Sequence, residues 1–172
     1  NDLWDKVYAT PFHYLQALFA FLAAIAFLVF LRGRLGSVGN IFKIKESGYE
    51  IILFAGPDEK DRIKKFLEDL NNNGIKVYTN NYKNTILEFA SLVSLCDTMV
   101  CSDSFSLHVA LALDKPTIGL FFCTPAHEIE GYGLLKKIIA PLFDKFFPER
   151  MDELNEELIN SISVEEVFKA IK

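Results

Sequence analysis

Residue types suited to an anionic, hydroxylated ligand fall together in Ser102-Asp103-Ser104-Phe105-Ser106-Leu107-His108. The stretch follows a short apolar run at 98–101 and opens another at 105–113. It reads as strand, polar turn and helix. Successive backbone N–H groups at such a helix start, reinforced by the helix dipole, favour a phosphate. Asp103 and Ser104 suit the plainer role of helix N-cap equally well, worth about 1 kcal/mol. His108, one turn into the helix, serves either as a packed structural residue or as a contact at the mouth of the turn. Glu59 stands in the same relation to an earlier strand, just after Gly56-Pro57-Asp58. A carboxylate in a first helical turn is favoured by the dipole whatever else it does. Thr124 and Glu128, in the loop after a later strand, can line the same crevice.

The elements needed to hold these residues can be read in order. Residues 41–47 form a short helix ended by Gly48, and 50–55 a strand. Residues 59–72 form a helix with Ile63, Phe66, Leu67 and Leu70 on one face. Asn71-Asn72-Asn73-Gly74 stops it, and 75–78 is the next strand. A helix at 86–95 leads to the central strand, turn and helix, which Lys115-Pro116 closes. Strands at 117–121 and 136–140 follow, then helices at 152–160 and 164–171, the last capped by Ser163 with Glu166 three residues on. Short apolar strands alternating with helices predict an α/β fold, a Rossmann-like parallel sheet with helices on both faces, over residues 41–172.

Composition narrows the partners. The chain has 172 residues, 51% hydrophobic and 13% aromatic, enough for a real core in one domain with an appendage. With 18 Lys and Arg against 23 Asp and Glu, the net charge is −5, and no basic stripe offers a surface to nucleic acid. Cys96, Cys101 and Cys123 show no C-x-x-C pairing and no His at metal spacing, and Cys96 and Cys101, in or beside apolar runs, read as small buried hydrophobes in a reducing compartment. A start at Asn1 rather than Met points to a fragment or a processed product. Residues 1–40 are read as a separate N-terminal segment. Positions 17–31 carry no polar residue, and the 18 residues of 14–31 admit only Gln16. As a helix they measure about 27 Å, the thickness of a hydrocarbon core. A hydrophobic helix over 12–31 is therefore expected ahead of the domain, spanning a membrane or packed in a larger protein. Arg32 and Arg34 place its far end, and the domain, at the cytoplasmic face. The Gly-rich stretch 32–40 reads as a linker.

Taken in sequence, Tyr49-Glu50-Ile51-Ile52-Leu53-Phe54-Ala55-Gly56-Pro57-Asp58-Glu59-Lys60, Ser102–His108, Lys115–Phe121 and Thr124-Pro125-Ala126-His127-Glu128 resemble glycosyltransferase family 9. These are the heptosyltransferases of lipopolysaccharide synthesis and their relatives. The likeness covers about residues 46–140 and implies the C-terminal, donor-binding half of a GT-B-type enzyme. It implies that Glu59 accepts hydrogen bonds from the ribose of a nucleoside-diphosphate sugar. Asp103 would meet the donor sugar, and the backbone of Ser104 and Phe105 the diphosphate. His108 and Thr124 would line the pocket. Many family members carry Gly where Phe105 stands, so either the pocket here is differently shaped or binding is weakened. No Asp-x-Asp cluster is present to hold a metal against the diphosphate, and no cofactor is implied. The family's acceptor domain and its Lys-containing phosphate loop are not recognisable, and no catalytic residue is assigned. The expectation is a donor domain incomplete by itself, joined to an acceptor domain on another chain and serving a saccharide or lipid-linked acceptor. The alternatives are a non-catalytic nucleotide-binding or assembly module on the same fold and, more remotely, a sugar-nucleotide epimerase.

Overall fold

The computed structural model describes residues 38–80, 82–150 and 155–171, together with the backbone of 24–28. Six strands form one parallel sheet: β1 (Ala24–Leu28), β2 (Glu50–Phe54), β3 (Tyr78–Thr79), β4 (Thr98–Ser102), β5 (Thr117–Phe121) and β6 (Leu135–Ile139). Their order across the sheet is β3-β2-β1-β4-β5-β6. The helices are α1 (Val38–Glu46), α2 (Lys60–Asn72), α3 (Ile86–Ser94), α4 (Phe105–Ala112), α5 (Phe143–Phe146), α6 (Glu156–Ile159) and α7 (Val164–Ile171).

Strand residues alternate between two cores because successive side chains point to opposite faces. Ile51, Leu53, Val100 and Ile118 join Ile41 and Ile44 of α1, Ile63 and Leu70 of α2, and Val167 of α7. Ile52, Phe54, Met99, Cys101 and Phe121 join Phe89 and Leu92 of α3, and Leu107 and Ala110 of α4. Helices thus cover both faces, as the unbroken apolar strands require.

The hydrophobic helix expected over 12–31 is corrected by β1. Ala24–Leu28 pairs in parallel with β2 along its whole length and with β4 on its other side, at the middle of the sheet. A strand buried on both faces is as continuously apolar as a membrane span, so hydropathy cannot separate the two. The remainder of that expected helix, 12–23 and 29–31, lies outside the described residues. Among the described residues no helix is long and apolar enough to cross a membrane. The expected linker also ends early, since Val38 begins α1.

Two further details follow from local chemistry. At the end of α2, Gly74 takes φ +71°, its N–H bonds to Asn71 O, and the Ile75 N–H bonds to Leu70 O. This is a Schellman ending, with Ile75 packed in the same core as Leu70. Ile75 is therefore spent on the helix cap, and β3 shortens to Tyr78–Thr79 from the expected 75–78. In β5, a Cβ on Gly119 would sit 2.8 Å from Phe121 Cε2, 3.0 Å from Leu135 Cδ1 and 3.1 Å from Leu107 Cδ1.

Cys96 and Cys101 are buried, and burial pushes both thiols up to about 12. Their folded pKa lies above the ordinary value of 9.0, so the stability they lend is complete below pH 9 and declines as pH rises toward 12. Two outcomes are expected. Gly119→Ala loses about 1–2 kcal/mol in urea denaturation, because buried Phe121 and Leu107 cannot move aside. In thiol labelling at pH 8, half-buried Cys123 reacts in the folded protein, and Cys96 and Cys101 react only after denaturation.

Candidate functional site

β1 and β4 are adjacent and parallel, yet their following helices leave to opposite faces. α1 packs Ile41 and Ile44 in one core, and α4 packs Leu107 and Ala110 in the other. Such a divergence opens a crevice beyond the carboxyl ends of the two strands, the usual ligand position in an open parallel sheet. The β4 side of this crevice is Ser102-Asp103-Ser104. Residues 29–37, which follow β1, lie outside the described residues.

At that turn Ser104 occupies the N-cap of α4 in extended conformation, with φ −162° and ψ 172°, but no side chain caps the helix. The Ser104 hydroxyl is turned back instead and donates to Ser102 O at 3.1 Å. The Leu107 N–H reaches Ser104 O at 3.0 Å. Ahead of it, the N–H groups of Phe105 and Ser106 have no partner among the described residues. The Asp103 carboxylate, half-buried, makes no hydrogen bond or ion pair among them either. The start of α3 is different. There Thr85 Oγ1 accepts from the Glu88 N–H at 3.3 Å, and Glu88 Oε2 accepts from the Thr85 N–H at 2.7 Å. One helix start is closed by its own side chains, and the other is left open. Cys101, just below the open turn, is no nucleophile: burial, with a smaller contribution from Asp103, raises its pKa to about 12.

Beside the open turn lies a cavity of about 230 Å³ between the exits of β2 and β3 and the starts of α3 and α4. One wall is aromatic. Phe54 and Phe89 meet edge to face at 5.2 Å, and the Phe105 ring lies 6.1 Å from Phe89. Phe105 is 55% exposed, and its bulk forms part of this wall. Glu59 also lines the cavity, its Oε1 held by Arg62 Nη2 at 2.7 Å and its Oε2 3.4 Å from the Gly56 N–H. Oε2 keeps capacity to accept hydrogen bonds from a ligand.

The floor is fixed by Asn80, which is only 6% exposed. Its Oδ1 accepts from the Ala55 N–H at 2.9 Å, and its Nδ2 donates to Ala55 O at 3.0 Å and to Asn84 Oδ1 at 2.9 Å. The side chain therefore ties the loop leaving β2 to the loop leaving β3.

The structure brings Glu59 and Phe105 to one cavity, with Asp103 and Ser104 at the turn beside it. His108 is exposed and lines a wider, open cavity of about 600 Å³ with Glu128, Asp114 and Tyr132. Thr124, half-buried after β5, lines neither of these two cavities. Asn80 and Asn84 were not anticipated from sequence. Asparagines after a strand signal a turn in any fold, and nothing local distinguishes a buried one. Among the described residues, no three His, Cys, Asp or Glu side chains converge as metal ligands would. If Asn80 locks the two loops, Asn80→Ala costs roughly 2–4 kcal/mol by leaving Ala55 N–H and C=O unpaired. The check is urea denaturation of the variant beside the natural protein.

The sequence matches the profile of glycosyltransferase family 9 (heptosyltransferase) over residues 41–146, more than half of the chain. No curated protein matches it. Solved structures with the same fold include a family 9 glycosyl transferase from Veillonella parvula, at 18% identity and a TM-score of 0.66, covering 92% of this chain and 48% of that one. The E. coli heptosyltransferase WaaC with ADP matches at 21% identity and a TM-score of 0.65, covering 88% of this chain and 44% of WaaC. A UDP-GlcNAc 2-epimerase from Methanocaldococcus jannaschii follows at 19% identity and a TM-score of 0.57, covering 92% and 42%. This chain thus spans about half the length of the structures it resembles. The open α/β architecture, the open turn at α4 and the profile match lead to one conclusion: the chain belongs to glycosyltransferase family 9.

Proposed function

We propose that this chain is the donor-binding half of a glycosyltransferase and holds a nucleoside-diphosphate sugar. The observation that carries the reading is the uncapped start of α4 beside an aromatic-walled cavity at the carboxyl edge of the sheet. The cavity suits a base and ribose, with Glu59 accepting from ribose hydroxyls. The Phe105 and Ser106 N–H groups suit the diphosphate. Asp103 then faces the sugar, whose hydroxyls are donors, rather than the phosphates, whose charge would repel it.

Transfer breaks the bond between the anomeric carbon and the diphosphate oxygen and forms one to an acceptor hydroxyl oxygen. The bond's electron pair leaves with the diphosphate, and the acceptor's proton must go to a base. Oriented N–H groups at a helix start stabilise the charge that develops on the departing diphosphate. That is the contribution this half would make. We assign the acceptor, a saccharide or lipid-linked saccharide, and the base to a second domain. Heptose is the proposed sugar, in keeping with the family description. Phe105 at the position where many family members carry Gly gives substance to a second reading, a nucleotide-binding module without catalysis. The two separate on donor turnover.

Isothermal titration of ADP, UDP and GDP into the whole chain tests the proposal. Saturable binding of at least one nucleotide is expected, competed by inorganic diphosphate. Glu59→Ala should weaken it about tenfold or more, the loss of hydrogen bonds to a charged acceptor. A folded protein that binds none of the three sinks the reading.

A further inference from the structure

Arg62 holds the glutamate of the cavity without lining the cavity itself. Its Nη2 donates to Glu59 Oε1 at 2.7 Å, the short end of the range for a charge-assisted bond. Both side chains are partly buried, Arg62 at 36% exposure and Glu59 at 26%. Glu59 lines the 230 Å³ cavity, and Arg62 does not.

The backbone under Glu59 is fixed as well. The residue ends a 3-10 turn over Pro57–Glu59, whose proline sets its own φ, and the Glu59 N–H bonds to Gly56 O at 3.1 Å. On the side chain, Oε2 lies 3.4 Å from the Gly56 N–H, a long bond that holds the carboxylate weakly. The Arg62 bond is the stronger of these two. A partly exposed i,i+3 pair at a helix start adds little to stability. Its larger consequence is for binding, because a glutamate already ordered loses less rotamer freedom when a ligand arrives.

We infer that Arg62 is a positioning residue for this site, presetting the Glu59 carboxylate for a ribose so that the protein selects a ribonucleoside diphosphate over its deoxy counterpart. The inference rests on the nucleotide-binding reading above and deepens it. Two effects of the guanidinium have to be told apart. Its charge offsets that of Glu59 for any phosphate ligand, whatever the sugar. Its hold on Oε1 matters only to a ligand whose hydroxyls can donate to the carboxylate. A ribonucleotide and its dideoxy analogue share the first effect and differ in the second.

ADP, UDP and GDP and their 2′,3′-dideoxy analogues are titrated calorimetrically into the whole chain. The same titrations are made with Arg62→Lys, Arg62→Met, Glu59→Ala and the double variant Glu59→Ala with Arg62→Met, each checked for folding by thermal unfolding. The natural protein should bind its preferred ribonucleotide about tenfold more tightly than the dideoxy form. In Arg62→Met that ratio should fall to about threefold or less, with little change in melting temperature. Arg62→Lys, which keeps the charge but not the planar fork, should lie in between. Once Glu59 is removed, Arg62→Met should leave the ratio as it is. Equal weakening of both forms in Arg62→Met assigns Arg62 to charge compensation and overturns the inference, as does an unchanged ratio. A ratio that changes again in the Glu59→Ala background places Arg62 on the ligand itself and overturns it too. A natural protein that binds both forms alike keeps its nucleotide site but loses the ribose contact at Glu59, and the role of Arg62 with it. Absence of nucleotide binding by the folded natural protein rejects the donor reading, and the inference falls with that reading.

Discussion

The carboxyl edge of this sheet depends on one topological constraint, that β1 and β4 lie side by side while their chains diverge. β1 contributes five residues paired to β2 and three paired to β4, so it is the hinge of the strand order. Had β4 been added at the outer edge of β3, the successive helices would have stayed on one face and no such divergence would have arisen. The reversal places α1 and α4 on opposite faces, so that the chains leaving β1 and β4 part at the turn that holds Asp103. The open N–H groups of Phe105 and Ser106 are available to a ligand for that reason. The side of the sheet beyond β2 contributes a different kind of order.

There the strand is nearly absent. β3 has two residues, too few to hold the loop after β2 by backbone pairing alone. Asn80 supplies the missing rung, because its amide presents one acceptor and one donor to a single residue, Ala55, as a neighbouring strand would. A buried amide is costly unless it is satisfied. Here both atoms are used, and the second donor hydrogen goes on to Asn84. Asn84 Oδ1 is thereby used, and its Nδ2 is buried with no partner among the described residues.

The legible parts of the chain were those whose signals are local. The strand, turn and helix around Asp103 were readable because an apolar run, a polar turn and a small-residue helix leave little choice. The observed β4 and α4 differ from that reading by one residue at one end of each. Ser163 was readable as a cap because the pattern is short-range, and the Glu166 N–H does reach its Oγ at 3.2 Å. The unreadable parts required knowledge of distant partners. An apolar run near residue 24 is compatible with a lipid-spanning helix or a central strand, and only pairing with β2 and β4 decides between them. The strand expected at 75–78 began one residue after Gly74, although Asn73-Gly74 spells a helix ending that claims the Ile75 N–H as well. His108 and Glu59, both near strand exits in sequence, line different cavities because α4 turns His108 away by one helical step.

The charges around the open turn order the parts of any ligand that enters. A carboxylate and N–H groups without partners among the described residues sit within three residues of one another, and they ask for opposite things. A diphosphate set against Asp103 would face like charge at short range, which is destabilising even where water screens it. Set against Phe105 and Ser106, it meets the positive end of the helix. A neutral polyol reverses the preference, since its hydroxyls can donate to Asp103. A ligand that carries both parts is therefore oriented by electrostatics alone, with its charged centre at the helix start and its hydroxylated end at the carboxylate. On the proposed reading, the aromatic cavity beside Phe105 would receive what lies on the other side of a diphosphate. Linear order along the ligand thus follows linear order along the wall, from Phe89 through the start of α4 to Asp103, and a nucleoside-diphosphate sugar has its parts in that order.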